Sequence, residues 1–189
     1  MTYGERFEEA LKYAARLHRA QVRKGTNIPY VTHLLAVAAI VGENDGTEDE
    51  VIAALLHDAV EDQGGAATRD EIRRRFGDSV ATIVEGTSDT DVVPKPPWRE
   101  RKQCYITHVG EAPRSVRLVS AADKLHNARS ILADLRAEGE AAWRRFNAGK
   151  EDQLWYYRAL VEALRAAGGT DDLVDELERV VEEIAETAA

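Results

Sequence analysis

The chain predicts an all-α protein, and three observations carry that expectation. Ala, Leu, Glu and Arg abound among its 189 residues, whereas aromatic and β-branched runs are scarce. Apolar residues recur at three- and four-residue spacing, and no stretch alternates apolar with polar as a half-buried strand does. No internal repeat or low-complexity segment interrupts the pattern. The length suits one domain with a sizeable core, read here as residues 1–189 with the core over about 6–164 and a C-terminal helix at 171–186.

The elements follow in order. Glu5 to Arg19 reads as a first helix, with Phe7, Leu11, Ala14 and His18 at helical spacing and Arg16 and Arg19 at the end that favours cations. Gln21 to Tyr30 is a loop marked by Gly25 and Pro29. Thr32 is expected to cap the next helix, His33 to Glu43. That helix is apolar nearly all round (Leu34, Leu35, Val37, Ala38, Ile40, Val41) and should be buried. A third helix carries Ala53 to Asp62 and stops at Gln63-Gly64-Gly65. Thr68 to Phe76 and Ser79 to Glu85 are two short helices split at Gly77. Gly86 to Pro97 is a loop, because Pro94, Pro96 and Pro97 cannot continue a helix. Trp98 to Val109, the long pattern Ser115 to Arg136, Glu151 to Ala166 and the C-terminal segment complete the chain.

Composition narrows the function. A formal charge of −9 argues against a nucleic-acid surface, yet it is compatible with a small anionic ligand held by a local basic cluster and a metal. Cys104 is alone, so no intrachain disulfide forms; it reads as a small buried apolar side chain. The charged N-terminus lacks a signal region, and no run reaches the roughly 20 apolar residues of a membrane span. A cytoplasmic protein without membrane or nucleic-acid partners is expected, its oligomeric state open.

The stretch Ala-Ala-Leu-Leu-His-Asp-Ala-Val-Glu-Asp at Ala53 to Asp62 stands out. On a continuous helix, His57 lies one turn from Glu61, and Asp58 one turn from Asp62, beside the apolar strip of Val51, Leu55 and Ala59. Placing these groups at a core boundary costs several kcal/mol unless something compensates. A divalent cation does so, because it accepts imidazole and carboxylate together. His33, on the first turn of a buried helix, and Asp123, four residues before Asn127, complete a set of two imidazoles and two carboxylates. Such a set suits manganese, iron or zinc better than calcium. The plain alternative is a solvated charged face, and spacing alone does not bring these elements together.

Arg23-Lys24-Gly25 leading into Pro29-Tyr30, then His33, Ala53 to Asp58, Glu61-Asp62, and Ala122-Asp123-Lys124-Leu125-His126-Asn127 resemble the successive motifs of the HD-domain metal-dependent phosphohydrolases. The pattern is that of the RelA/SpoT hydrolase domain and most resembles the stand-alone small alarmone hydrolases, over Arg6 to Leu164. The resemblance implies a single HD-type helical bundle in which His33, His57, Asp58 and Asp123 hold one cation, Mn2+ favoured over Fe2+ or Zn2+. It makes Glu61 and Asp62 the catalytic acids that orient and deprotonate water. Arg23 and Lys24 would face the nucleotide, Asn127 would steady the site or touch the nucleotide, and Tyr156 stands where such enzymes carry a substrate tyrosine. Lys102, on the helix after the proline-rich loop, is a further candidate for binding substrate.

The reaction implied is hydrolysis of the 3′-pyrophosphate of (p)ppGpp to GDP or GTP and pyrophosphate. Two other readings keep the site: a phosphatase acting on the NADPH 2′-phosphate or a nucleotide monophosphate, and a non-catalytic nucleotide sensor. The presence of both Glu61 and Asp62 speaks against the sensor. The chain departs from the family text at His33-Leu34, where His-Pro is usual, in the loop Gly25-Thr26-Asn27-Ile28, at Gln63-Gly64-Gly65, and over Pro94 to Arg101. His18, His108 and His126 read as structural or surface residues.

Overall fold

The computed structural model describes residues 2–88 and 96–188. Its elements are α1 (Glu5–Leu17), α2 (Val31–Glu43), α3 (Glu48–Leu56), α4 (Ala59–Asp62), α5 (Gly65–Phe76), α6 (Asp78–Thr87), α7 (Trp98–Glu111), α8 (Arg114–Glu138), a 3-10 segment (Gly139–Arg145), α9 (Lys150–Ala167) and α10 (Asp171–Thr187). Among the described residues the only extended pairing is an antiparallel bridge between Val22 and Pro29, which closes the loop before α2. None of the helices is long and apolar enough to cross a membrane.

Helix faces explain the packing. α1 buries only Ala10 and Ala14 and leaves its charged face to solvent, whereas α2 buries His33, Leu34, Val37, Ala38, Ile40 and Val41. α3 buries all of Glu50–Leu56, and α8 packs on both of them as well as on α6, α7 and α10. α3 begins with a capping box: Thr47 Oγ1 accepts from Glu50 N (3.3 Å) while Glu50 Oε2 accepts from Thr47 N (2.7 Å). α10 contributes Leu173, Leu177, Val181 and Ile184, one stripe at helical spacing, to the same hydrophobic core. The functional elements α2, α3 and α8 therefore lie at the centre of the bundle.

Several sequence expectations change on folding. Thr32 does not cap α2; the helix starts at Val31, and the Thr32 hydroxyl donates to Pro29 O (2.8 Å) within the first turn. Gly86 is helical, because α6 continues to Thr87 where it meets α8; the expected loop segment 89–95, with Pro94, lies outside the described residues. Cys104 is exposed, since Tyr105, Ile106 and Val109 take the buried stripe of α7.

The run Ala53 to Asp62 is not one helix. α3 ends at Leu56, and α4 resumes at Ala59 with Asp62 N bonded to Asp58 O. The cause is local: His57 Nδ1 bonds to Ala54 O at 2.8 Å, the carbonyl that an Asp58 N–H takes in a continuing helix.

Candidate metal centre and adjoining cleft

Four side chains from three parts of the chain converge. His33 comes from the first turn of α2, His57 and Asp58 from the break between α3 and α4, and Asp123 from the middle of α8. His33 Nε2 lies 3.2 Å from Asp123 Oδ1 and 3.6 Å from Asp58 Oδ2. His57 Nε2 lies 3.0 Å from Asp58 Oδ2 and 3.6 Å from Asp123 Oδ1. Donor atoms of His33, His57 and Asp58 all fall within 4.8 Å of one another, a grouping able to hold a metal ion.

The electrostatics describe a site built for positive charge. Burial by itself raises the Asp58 carboxyl, but the His57 charge and the imidazoles of His33 and His57 facing it outweigh that and hold it well below the carboxylate range. Asp123 is likewise driven low against its burial, chiefly by the Lys124 charge and then by the imidazoles. His57 is held well above its ordinary value by the two carboxylates despite complete burial. Both imidazole Nε2 atoms are buried with no hydrogen-bond partner. Two unpartnered nitrogens facing two ionised carboxylates are the donors a divalent cation requires, so the residues present fit one.

Each of the four carries a further partner. His57 Nδ1 is tied to Ala54 O, and His33 Nδ1 lies 2.8 Å from His126 Nδ1. The Tyr30 hydroxyl donates to Asp58 Oδ2 at 2.5 Å; burial and Asp58 push its pKa up, so it stays a donor. Asn127 Nδ2 donates to Asp123 Oδ1 at 2.6 Å, and Lys124 Nζ pairs with Asp123 Oδ2. Outer partners of this kind orient metal ligands and tune their basicity. His126, expected as a structural or surface residue, instead stands against a candidate ligand, and burial and His33 push it down to about 4. Tyr30 and Lys124 were equally absent from the expected site, although both lie inside the motif runs.

Beside the cluster opens a cleft of about 380 Å³. It brings together the expected substrate residues Arg23, Lys24, Lys102, Asn127 and Tyr156, and adds Lys124, Arg145, Phe146 and Trp98. Among the described residues five cationic side chains therefore line it against one acid, Asp134. Arg23 donates to Asn127 Oδ1 (2.9 Å), Lys24 to Asn147 Oδ1 (2.8 Å), and Lys102 Nζ lies 4.9 Å from the Tyr156 ring centre. Arg145 is held by Asp134 (2.6 Å) and packs where Gly25, at φ 74°, leaves room. No spacing signal marked Arg145 or Phe146; only packing brings them here.

Glu61 and Asp62 do not line this cleft. Both are exposed on α4, where Asp62 accepts from Gln21 Nε2 at 2.7 Å. Gln21 is itself anchored by His18 Nδ1 (2.7 Å) and Gln63 Nε2 (2.6 Å). Partial desolvation by its neighbours raises the Asp62 carboxyl, the Gln21 bond lowering it only in part.

This helical fold with its paired imidazoles and carboxylates defines an HD-domain protein, and the HD domain family model matches residues 10–152. MESH1 of Xenopus tropicalis is 34% identical over 170 residues, 88% of this chain and 87% of that one. Human MESH1 is 40% identical over 126 residues, 65% and 68% of the two chains. Both bear the name guanosine-3′,5′-bis(diphosphate) 3′-pyrophosphohydrolase. A solved structure described as a metazoan ortholog of SpoT that hydrolyzes ppGpp matches with a TM-score of 0.76 and 28% identity, covering 96% of this chain and 97% of that one. A Listeria monocytogenes structure matches at 0.73 and 32%, covering 82% and 99%. The chain belongs to the HD-domain family and is similar over most of its length to proteins of the MESH1 type.

Proposed function

We propose that this chain is a divalent-cation-dependent hydrolase that removes the 3′-pyrophosphate of (p)ppGpp, yielding GDP or GTP and pyrophosphate. The observation that carries the reading is the juxtaposition of the His33, His57, Asp58 and Asp123 cluster with a cleft of five cationic side chains in a chain of net charge −9. The names of the MESH1 relatives support the same substrate. In this reading the four cluster residues hold one cation, Mn2+ favoured over Fe2+ or Zn2+ as the family resemblance implies. When bound, such an ion supplies Lewis acidity, lowering the pKa of water and polarising a phosphoryl oxygen.

The protein's own groups do the rest. Arg23, Lys24 and Lys102 meet phosphate charge, the arginine by a forked pair of donors and the lysines as point charges. Asn127 links binding to the centre, accepting from Arg23 at Oδ1 and donating to Asp123 at Nδ2. Tyr156 offers an aromatic wall to the nucleotide. Glu61 and Asp62 orient the attacking water and take its proton. The bond broken is that between phosphorus and the 3′-oxygen; the water oxygen joins the pyrophosphate, and the 3′-oxygen leaves as a hydroxyl after gaining a proton. A cytoplasmic setting suits this substrate. The test is purified protein with Mn2+ against ppGpp, pppGpp, NADPH and nucleotide monophosphates, with pyrophosphate and orthophosphate both quantified. Pyrophosphate from ppGpp supports the reading, and orthophosphate alone, or tight binding without turnover, overturns it.

A further inference from the structure

The two imidazoles of the cluster are held differently. His57 Nδ1 meets a backbone carbonyl, Ala54 O, which can only accept, so Nδ1 always carries a proton and Nε2 is the nitrogen that gives up its proton to a cation. His33 Nδ1 meets another imidazole nitrogen, His126 Nδ1, at 2.8 Å, with ring centres 4.8 Å apart. Two such nitrogens at that distance share one proton, and either ring can own it. If His126 donates, His33 carries its proton on Nε2, pointing at Asp123 Oδ1 and Asp58 Oδ2 and filling the place of a cation. If His126 accepts, His33 presents a bare Nε2 to those carboxylates. Asp123 and His126 lie one turn apart on α8 and address opposite nitrogens of the same ring. One helix thus grips both ends of an imidazole carried by another.

We propose that His126 is a positioning residue of the cation centre: its Nδ1 accepts from His33 Nδ1–H and fixes the tautomer in which His33 Nε2 can bind metal. The proposal rests on the reading of His33, His57, Asp58 and Asp123 as the cation site. His126 touches neither cation nor substrate in this role.

The test measures Mn2+ affinity directly by calorimetric titration of the wild type, His126→Leu, His126→Asn and His33→Ala. Leucine removes the acceptor and should weaken Mn2+ roughly 10- to 100-fold, the usual effect of losing a ligand's outer partner. Asparagine restores an acceptor at the δ position and should bring affinity back close to the wild type, which a merely space-filling histidine does not explain. Long-range 1H–15N correlation spectra of the Zn2+-loaded wild type should show the His33 proton on Nδ1. Wild-type affinity in His126→Leu, with His33→Ala abolished, overturns the proposal alone. Undiminished affinity in His33→Ala, or no Mn2+ binding by the wild type, overturns the site reading and the proposal with it. Should His126→Leu fail to fold, the spectra decide: a His33 proton on Nε2 in the loaded wild type refutes it.

Discussion

Gly86 offers a test in which two ordinary effects oppose each other. It lies in α6 against α8, and a Cβ there meets Val116 Cγ2 at 2.7 Å and Cγ1 at 3.0 Å. Replacing a helical glycine by alanine normally stabilises by up to about 1 kcal/mol, and less at the penultimate position of a helix. Against that, overpacking a filled core costs about 1–3 kcal/mol. Val116 is buried and β-branched on a helix, so it has essentially one rotamer and cannot turn aside. The clash wins, and Gly86→Ala should lose about 1–2 kcal/mol. Gly110 is the control, also penultimate in its helix, but its Cβ meets Ala163 Cβ at an ordinary 3.7 Å. Gly110→Ala should therefore gain a few tenths of a kcal/mol from propensity alone. Urea unfolding with unchanged m-values reads both. Because Val116 lies two turns before Asp123 on α8, Gly86→Ala should also weaken cation binding. A Gly86→Ala variant as stable as the wild type refutes the claim that close approach of α6 and α8 sets this position.

Other outcomes follow from the centre. Mn2+ at a hundred times its Kd should stabilise the fold by about 2.7 kcal/mol, a melting-temperature rise of roughly 5–11 °C for a chain of this size; EDTA should reverse it and His57→Ala should abolish it in a thermal melt. Glu61→Gln and Asp62→Asn should each retain Mn2+ but lose roughly two or more orders of magnitude in kcat, and full turnover by the double variant removes them from the mechanism. Lys124→Met deprives Asp123 of its nearest cation. Breaking a buried pair costs up to about 3–5 kcal/mol, but His33 and His57 also face Asp123, so a loss of about 1–2 kcal/mol is expected in EDTA and a smaller one with Mn2+; equal losses in both media contradict the shared-charge account. For Asp62, partial desolvation raises the carboxyl and the Gln21 donor lowers it. Gln21→Leu removes the larger of the two lowering influences, so the acid limb of the pH–rate profile should move to higher pH, and a shift to lower pH reverses the assignment.

Much of this molecule was legible in its sequence. The apolar periods of α1, α2, α8, α9 and α10 follow from contacts three and four residues apart, which neighbours in the chain dictate. The side-chain types of the cluster were equally legible, because a histidine on a buried helix and a His-Asp pair among apolar residues are costly without a partner. The cationic residues expected at the substrate, Arg23, Lys24 and Lys102, do share one cleft.

Tertiary structure decided what those residues meet. His33 and Asp123 stand 90 residues apart in the chain yet 3.2 Å apart in space, because burial of α2, α3 and α8 in one core brings the helices together. The break after Leu56 was hidden because it depends on where the His57 ring finds its acceptor. Gly86 reads as a loop residue until α8 packs against it. His126 reads as bland until His33 arrives from another helix, and Arg145 until it folds over Gly25 at the cleft. Helical periodicity is a property of short range and can be read along the chain; a metal centre is a coincidence of distant groups, and only close packing of the whole core creates it.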